Sequence, residues 1–514
     1  MTEGRPLTWR HWVGFMSMVL GMFMSILDIQ IVSASISEIQ AGLSASADEV
    51  AWVQTSYLVA EIVMVPLTGF LSRALSTRVL FTISALGFTL FSVLCASATS
   101  LPEMILWRAL QGFIGGAMFP TVFSTAFLMF PPSRRTQIMV LVSLTATLAP
   151  TIGPTLGGWL TSSFSWHWVF LINLPFGLVA AGCVWSFIDI DRPDRALLRR
   201  FDYLGLVFLA AFLGSLEYVL EEGNRNDWFA DDSIAIFAIV SAVAAVLFFH
   251  RMLRSADPLV GVRALGNRNF ALGCLCSGVI GVGLYGSVYL VPLFLGQVRG
   301  YDSFEIGKAM LVTGVVMFFT GPIAGIISGK VDMRRMAAFG MLCFGISCWW
   351  LAHLTSLSGT WEIMAAQGMR GFALMFLFLP INQISLGTLP PEALKNASGL
   401  YNLMRNLGGA IGIATLGTLA TTRTAVHSLH LHEQVGWGRP AATLALTHLT
   451  QTLTAAKAGA AHLAALRRLA LLVQREAMTL AYNDVLLVMG FCFFAALPLT
   501  FLMVRPRMAG GGGH

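Results

Sequence analysis

Long apolar runs recur from one end of this chain to the other, and they restrict its fold more than any other feature of the sequence. The runs are about 18 residues or longer, enough for a helix to cross roughly 30 Å of hydrocarbon. They lack the alternation of apolar and polar residues that marks the strands of a membrane barrel. Only 11% of the 514 residues are charged, whereas soluble domains have roughly 25%. The sequence therefore predicts an all-α polytopic membrane protein within the lipid bilayer.

Fourteen transmembrane helices are predicted from these runs. Their residues are 12–35, 51–71, 79–99, 102–129, 137–160, 168–188, 203–220, 233–253, 270–295, 305–328, 336–355, 362–388, 397–420 and 485–504. On one side, the segments between them contain twenty Lys and Arg residues, whereas the short loops on the other contain only Arg225 and Arg299. Because cytoplasmic loops are enriched in Lys and Arg, both termini are predicted to be cytoplasmic. The net charge of +6 is interpreted as the same bias, and no nucleic-acid partner is predicted.

The first and last parts of the chain share a repeated pattern. A Pro-Pro pair closes span 4, and Gly153 follows 21 residues after Pro132. A second Pro-Pro pair closes span 12, and Gly412 follows 21 residues after Pro391. Spans 1–6 and 9–14 are therefore interpreted as two six-helix bundles with two helices inserted between them, an arrangement that suits an alternating-access transporter. The predicted divisions are an N-terminal bundle at 1–190, the inserted helices and linkers at 191–268, a C-terminal bundle at 269–504 and a cytoplasmic tail at 505–514.

The segment 421–484 is long for an outer loop. Leu466, Leu469 and Val473 recur there at helical spacing, which predicts a periplasmic helical hairpin. Two roles stay open for it, a cap on the periplasmic face and a docking site for a partner protein. Its histidines are interpreted as solvated, and neither a metal site nor a cofactor is predicted. The seven cysteines lie inside apolar runs, so free buried thiols are expected.

Asp28 is the one ionisable residue of span 1, and a carboxylate at membrane depth costs about 2.5–3.5 kcal/mol on insertion scales. At ~1.5 Å per residue, Asp28 lies roughly 10 Å below the outer face and Arg108 roughly 9 Å below it. The two residues are therefore expected to pair, which would offset part of each desolvation cost. A purely structural pair is the alternative to a role in proton coupling.

Glu61 lies near the middle of span 2, about 15 Å from the outer face. Burial without a partner favours the neutral form of a carboxyl group. Glu61 is therefore a candidate proton carrier or a counter-charge for a cationic substrate, with a neutral, hydrogen-bonded structural acid as the alternative. Which of Asp28 and Glu61 carries the transported proton stays open.

Other polar residues within the spans are candidates for the substrate cavity. They are Gln111, Arg370, Asn402 and Arg405. Four charged residues lie near predicted span ends and are expected to reach the membrane interface by snorkelling. They are Glu217, Glu305, Lys308 and Glu362.

Span 5 contains an unusual density of glycine and proline, with Gly153, Pro154, Gly157 and Gly158 close behind Pro150. Proline removes a helix hydrogen bond, and glycine permits close backbone approach. The pattern therefore predicts a kinked helix packed tightly on a neighbour.

At these residues the chain resembles the major facilitator superfamily, in particular the fourteen-helix drug:proton antiporters of the EmrB/QacA type. Gly153-Pro154 followed by Gly157-Gly158 is similar to the antiporter motif of span 5. Arg108 with Gln111-Gly112 is similar to the span 4 motif, whose arginine the resemblance implicates in proton coupling. Leu27-Asp28 is similar to the span 1 motif.

The loop after span 2 departs from the family's pattern. Gly69 and Leu71 fit it, but Arg73 stands where the family has Asp, and Ser76 where it has Gly. These departures count against a charge-locked inner gate of the family's usual kind.

The resemblance implies a proton-driven exporter of hydrophobic compounds in a bacterial inner membrane. The energy source is the proton gradient, and the implied partners are a periplasmic membrane-fusion adaptor and an outer-membrane channel. A proton-coupled importer on the same fold and a stand-alone antiporter without an adaptor are the alternatives. An enzyme is not predicted, because the spans contain no nucleotide loop and no His-rich metal motif.

Overall fold

The computed structural model describes residues 8–199, 201–255, 258–301, 303–435, 439–454 and 461–504, and within these ranges every regular element is a helix. The α-helices are α1 (Trp9–Ala34), α2 (Ile36–Leu43), α3 (Ala47–Val50), α4 (Trp52–Leu75), α5 (Thr77–Ala96), α6 (Leu101–Gly115), α7 (Met118–Met129), α8 (Pro132–Ser163), α9 (His167–Leu171), α10 (Asn173–Phe187), α11 (Ala196–Arg199), α12 (Tyr203–Glu222), α13 (Asp232–Arg254), α14 (Arg268–Gln297), α15 (Ser303–Ser328), α16 (Met333–Leu351), α17 (Thr360–Gly387), α18 (Pro391–Gln434), α19 (Pro440–Thr454) and α20 (Ala461–Leu502).

Each predicted span coincides with a helix or with a pair of consecutive helices. Span 4 consists of α6 and α7, and span 6 consists of α9 and α10. Within the described ranges, eleven helical stretches are long and apolar enough to cross a membrane, or twelve if the bent α8 counts as one span. The all-α, multi-pass fold is thereby confirmed, while the count of fourteen and the cytoplasmic termini stay predictions.

Helix α8 contains the glycine- and proline-rich pattern and is bent by 44° between its parts Arg134–Pro150 and Ile152–Ser163. Proline inside a helix is the usual cause of such a kink, because its nitrogen cannot donate to the preceding turn. The predicted kink is therefore present, and it lies between Pro150 and Pro154.

Glycines at equivalent places in the two repeats allow a close approach of two helices. In the first half, a Cβ atom at Gly153 of α8 would collide with the Cβ atom of Gln30 in α1. In the second half, a Cβ atom at Gly412 of α18 would lie 2.9 Å from Cα of Val282 in α14. The repeated pattern of the sequence thus corresponds to one packing contact used twice.

The two halves meet along α4 with α18 and along α8 with α15. The inserted helices α12 and α13 pack on one another, and α12 also packs on α4 and α18. Helix α18 continues beyond the end of predicted span 13 as far as Gln434. Helix α19 then packs on the first part of α20. This outer segment contains the residues that the sequence predicts as a helical hairpin.

Candidate functional site

The centre of the first half contains a buried ion pair. Nη1 of Arg108 in α6 lies 2.6 Å from Oδ2 of Asp28 in α1, and the two residues are 0% and 1% exposed. The pairing that depth along the helices predicts is therefore present. At this burial each charge depends on the other, because leaving one of them unpaired costs several kcal/mol, about 3–5.

Two amide side chains complete the surroundings of the Asp28 carboxylate. Asn173, the first residue of α10, donates to Oδ1 of Asp28 at 2.7 Å, and Nε2 of Gln111 donates to the same oxygen at 3.3 Å. The amide oxygen of Gln111 accepts from Nη1 of Arg108 at 2.7 Å. Gln111, predicted as a substrate-cavity candidate, thus lies within the ion-pair network. Three donors therefore surround the Asp28 carboxylate and satisfy both of its oxygens.

Asn173 was not among the residues singled out from the sequence. Its side chain also donates to Oγ of Ser92 in α5 at 2.9 Å, so it links the ion pair of α1 and α6 to both α10 and α5. The sequence feature that could have identified Asn173 is the presence of an asparagine within the apolar run of span 6. A polar amide at such a position needs a partner, because unpaired polar groups are costly inside a membrane.

Arg108 is held by α4 as well as by Asp28. Its Nε donates to the carbonyl oxygen of Val53 at 3.1 Å, and its guanidinium carbon lies 4.3 Å from the ring centre of Tyr57. Nη2 of Arg108 is buried and has no hydrogen-bond partner among the described residues. Gly112 permits this geometry, because a Cβ atom there would collide with the carbonyl oxygen of Tyr57.

The glycine- and proline-rich motif of α8 packs on the backbone of α1 next to Asp28. Cβ atoms at Gly153 and Gly157 would collide with Gln30 and Ile31 respectively. Pro154 lies beside the bend of α8, and Gly158 is buried one turn further along. The motif therefore fixes the position of the helix segment that contains Asp28, without hydrogen bonds to the carboxylate itself.

Glu61 lies outside the ion-pair network. Its side chain is half-buried at the break between α6 and α7, where a Cβ atom at Gly116 would lie 3.2 Å from Cγ of Glu61. Arg405 and Arg108 are the cations close enough to act electrostatically on it. No hydrogen bond joins its carboxylate to another residue of the described ranges, so Glu61 is available to a proton or a ligand.

Arg405 is a buried cation at the contact between the halves. It belongs to α18 and is 3% exposed, yet its guanidinium carbon lies 4.0 Å from the ring centre of Phe119 in α7 and 5.5 Å from that of Phe378 in α17. Nε and Nη1 of Arg405 have no partner among the described residues. A cation with free donors between two aromatic rings can bind an anionic or aromatic ligand.

The remaining cavity candidates lie apart from the Asp28 cluster. Arg370 is 1% exposed and donates from Nη2 to Oγ1 of Thr313 at 3.1 Å, with Nε and Nη1 unpaired within the described part of the chain. Asn402 donates to the carbonyl oxygen of Ser398 at 2.8 Å, one turn earlier in α18. These side chains belong to the second half, and the structure does not bring them to Asp28.

At the end predicted to face the cytoplasm, a charged contact joins the two halves. Lys395, near the start of α18, forms a salt bridge with Asp191 and donates to the carbonyl oxygen of Ser72 in α4 at 3.3 Å. Asp191 follows α10, and its carboxylate also accepts from the backbone nitrogen of Thr77 at 3.0 Å and from its hydroxyl at 2.9 Å.

Arg73, which stands where the family has Asp, also lies at this contact. In the amide orientation that satisfies both of its polar atoms, Asn396 donates to the carbonyl oxygen of Gly69 at 3.2 Å and accepts from Nη2 of Arg73 at 3.3 Å. Arg73 thus also contacts the second half. The carboxylate that the loop after α4 lacks is supplied by Asp191, so a charged inner contact exists with different residues.

Comparison with known proteins agrees with this architecture. Residues 18–413 match the sequence profile of the Major Facilitator Superfamily. The chain is 40% identical to the colistin resistance protein EmrB of Acinetobacter baumannii over 496 residues, which cover 96% of this chain and 97% of that protein. It is 31% identical to the multidrug export protein EmrB of Escherichia coli K12, with 96% and 95% covered. The crystal structure of the human organic anion transporter MFSD10 (TETRAN) has a similar fold, with a TM-score of 0.57, 13% sequence identity, and coverage of 95% of this chain and 100% of that one.

A helical membrane fold with a buried polar centre, together with these matches, defines a multi-pass membrane transporter of the major facilitator superfamily. Within that superfamily the chain belongs with the EmrB multidrug export proteins, which it matches at 31–40% identity over nearly the full length of both chains. The family predicted from the motifs in spans 1, 4 and 5 is confirmed.

Proposed function

We propose that this transporter exports hydrophobic and amphipathic compounds across a bacterial inner membrane in exchange for protons. The observation that carries the proposal is the buried Asp28–Arg108 pair with its amide partners. Relatives named for multidrug export and for colistin resistance support the direction of transport and the kind of substrate.

The ion pair can couple protonation to a change in helix packing. Asp28, Arg108 and Asn173 lie on α1, α6 and α10, so their contacts hold three helices of one bundle in register. When Asp28 takes up a proton, Arg108 loses its counter-charge inside the membrane, at a cost of about 3–5 kcal/mol for a broken buried pair. The bundle then gains free energy by moving Arg108 towards water or another acceptor. Protonation and helix packing are thereby linked.

The proton gradient supplies free energy of the same order. Moving one charge across 100 mV is worth about 2.3 kcal/mol, and a pH difference adds to this. Protons from the periplasm neutralise Asp28 and favour the state that is open to the cytoplasm. Substrate binding from the cytoplasm favours proton release, which restores the pair.

Alternating access requires the inner contact to open. The salt bridge between Lys395 and Asp191 joins the halves at the predicted cytoplasmic end, and both side chains are mostly buried. Substrate can reach the crevice between the halves from that end only after α18 separates from α4. The contact therefore stabilises the state that is closed to the cytoplasm.

The substrate site is proposed to lie between the halves, around Arg405, Phe119, Phe378 and Glu61. Two aromatic rings flank the Arg405 guanidinium, and Glu61 adds an acidic group within its electrostatic reach. A site with aromatic surfaces and both signs of charge suits amphipathic compounds, whose apolar bodies need burial and whose charged groups need a partner.

The outer segment is proposed to dock the periplasmic adaptor that the family resemblance implies, and thus to connect export to an outer-membrane channel. Leu444 of α19 and Leu471 of α20 are each 70% exposed, and Leu429 at the end of α18 is 63% exposed. Apolar side chains that project from a helical segment in water favour contact with another protein.

Everted membrane vesicles test the direction and the coupling together. Vesicles that contain the transporter and a preformed pH gradient receive either ethidium, a fluorescent hydrophobic cation, or colistin. Antiport predicts that the compound accumulates in the vesicle lumen and partly dissipates the gradient. Loss of the compound from preloaded vesicles, driven by the same gradient, would indicate import. A gradient unaffected by either compound would contradict proton antiport.

A further inference from the structure

The inserted helix α12 has three glutamates towards its outer end, and the mechanism above uses none of them. Position near a span end predicts that Glu217 snorkels to the interface, but this prediction is wrong. Glu217 is 4% exposed and Glu222 is 5% exposed, and Glu221 is half-buried. Buried carboxyl groups are costly in a membrane and usually serve a function there.

Helix α12 packs on α4 of the first half. The ring of Tyr218 stacks on that of Trp52, with their centres 5.5 Å apart, and Oγ1 of Thr55 donates to Oε1 of Glu222 at 3.2 Å. A Cβ atom at Gly214 would lie 3.5 Å from Cγ1 of Val59. One stripe of α12 thus follows α4 from its outer end towards its middle.

The same end of α12 also reaches the second half. Nε1 of Trp228, just after α12, donates to Oγ1 of Thr418 in α18 at 2.9 Å. A Cβ atom at Gly417 of α18 would lie 3.6 Å from Nδ2 of Asn224. The inserted helix therefore bridges the two halves at their outer ends.

Glu217 and Glu221 lie on the part of α12 that faces between these contacts. At about 100° per residue they share one stripe, beside the stripe of Tyr218 and Glu222 that packs on α4. Glu221 and Glu61 are the acidic groups close enough to act electrostatically on Glu217. Glu217 therefore faces the crevice between the halves on the side of Glu61.

Four charged or titratable groups lie near the outer end of α12. They are Glu61 on α4, Tyr289 on α14, Asp231 before α13 and Arg225 after α12. Nη1 of Arg225 lies 3.6 Å from Oε2 of Glu222, so the outermost glutamate has a counter-charge at the surface. None of the groups in these contacts places a cation against Glu217.

Glu217 also has an unused hydrogen-bonding atom. Its Oε2 is buried and has no partner among the described residues. Oγ of Ser56, on α4 next to Thr55, is likewise buried and unpaired in the described part of the chain. A buried carboxylate with a free oxygen and no cation is well suited to accept a proton, because the neutral form avoids most of the desolvation cost.

We propose that Glu222, Glu221 and Glu217 form a route for protons from the outer face to Glu61, and from there to the Asp28–Arg108 pair. The inference rests on the proposed antiport and gives the inserted helix a part in it. Each step moves one proton between carboxyl groups: the acceptor carboxylate becomes an acid, the donor returns to a carboxylate, and no other bond changes. Glu222 stays near its surface partner Arg225, while Glu217 passes the proton inward.

The test compares the rate and the extent of proton movement in the full-length protein. Glu217→Gln resembles the protonated side chain, so the fold is preserved while transfer is blocked. In proteoliposomes with a pH gradient, ethidium-driven proton flux is expected to fall about tenfold or more. In detergent, the amount of protons that ethidium releases from the purified protein is expected to stay at the wild-type value, because Asp28 is intact.

Glu217→Asp should restore part of the flux, and Glu38→Gln, at an exposed glutamate of α2, should leave it unchanged.

The outcomes separate the route from the antiport. Wild-type flux in Glu217→Gln overturns the route and leaves the antiport in place. An equal loss of flux and of proton release in both Glu217 variants shows a structural role and also overturns the route. A wild-type protein that moves no protons with ethidium or colistin overturns the antiport, and the route with it.

Discussion

The ion pair at the centre of the first half predicts a specific pattern of stability changes. Asp28→Asn keeps the shape of the side chain but removes its charge, so Arg108 stays buried without a counter-ion. If the new amide nitrogen takes the place of Oδ1, it faces the donors of Asn173 and Gln111, which lie 2.7 and 3.3 Å from that oxygen in the wild-type protein. Arg108 retains two neutral acceptors, Gln111 and the carbonyl of Val53. We therefore expect a loss near the lower end of the range for a broken buried pair, about 3 kcal/mol.

A double-mutant cycle isolates the pair from its surroundings. Arg108→Gln should cost a similar amount, because it leaves the Asp28 charge buried. The double variant has no unpaired charge, so it should be more stable than the sum of the single losses predicts, by about 2 kcal/mol. Equilibrium unfolding of the purified protein in mixed micelles measures the free energies. Exposure of buried free thiols to a thiol-reactive dye reports the unfolding. The buried cysteines are Cys95, Cys274, Cys276, Cys343 and Cys348.

Additivity of the two single changes would refute the reasoning. It would mean that Asp28 and Arg108 are each stabilised by other groups and do not depend on one another. Glu38→Gln serves as the control, since loss of an exposed carboxylate should change the free energy of unfolding by less than about 0.5 kcal/mol.

Two further predictions concern packing and the inner contact. Gly157→Ala places a Cβ atom 2.8 Å from the carbonyl oxygen of Ile31 and should destabilise the protein by about 1–3 kcal/mol. Gly182→Ala is the control, because no atom lies within 4 Å of the new carbon, and it should be neutral or stabilising by up to about 1 kcal/mol. Equal changes in the free energy of unfolding of the two variants would contradict the tight α1–α8 contact. Lys395→Asp should open the inner end, so that a reagent added on the cytoplasmic side labels a cysteine introduced into the crevice more extensively. Adding Asp191→Lys should restore the charge pair and reverse the increase in labelling. If the exchanged pair does not recover, the salt bridge is not the closing contact.

Depth along a helix was sufficient to pair Asp28 with Arg108, since both positions can be counted from the ends of clear apolar runs. Asn173 could not be assigned in the same way, because its contact with Asp28 depends on the rotation of α10 about its axis. A single sequence defines the depth of a residue in a long helix better than the direction of its side chain.

Contacts made by linker segments and by the inserted helices could not be predicted from the sequence either. The salt bridge joins Lys395, near the start of α18 in the second half, to Asp191, in the linker that follows the first bundle, and both residues lie outside the predicted spans. Glu217 was assigned to the interface because it lies near the end of a hydrophobic run. Its burial follows from the packing of α12 against both halves, which hydropathy does not report.

The proton released when substrate binds is the most direct measure of the proposed coupling. Purified transporter in unbuffered detergent solution, with a pH-sensitive dye, is mixed with ethidium or colistin. Wild-type protein is predicted to release protons in proportion to the amount of protein, and Asp28→Asn is predicted to release none while it still binds the compound. Proton release of wild-type size from Asp28→Asn would contradict the assignment of coupling to the Asp28–Arg108 pair.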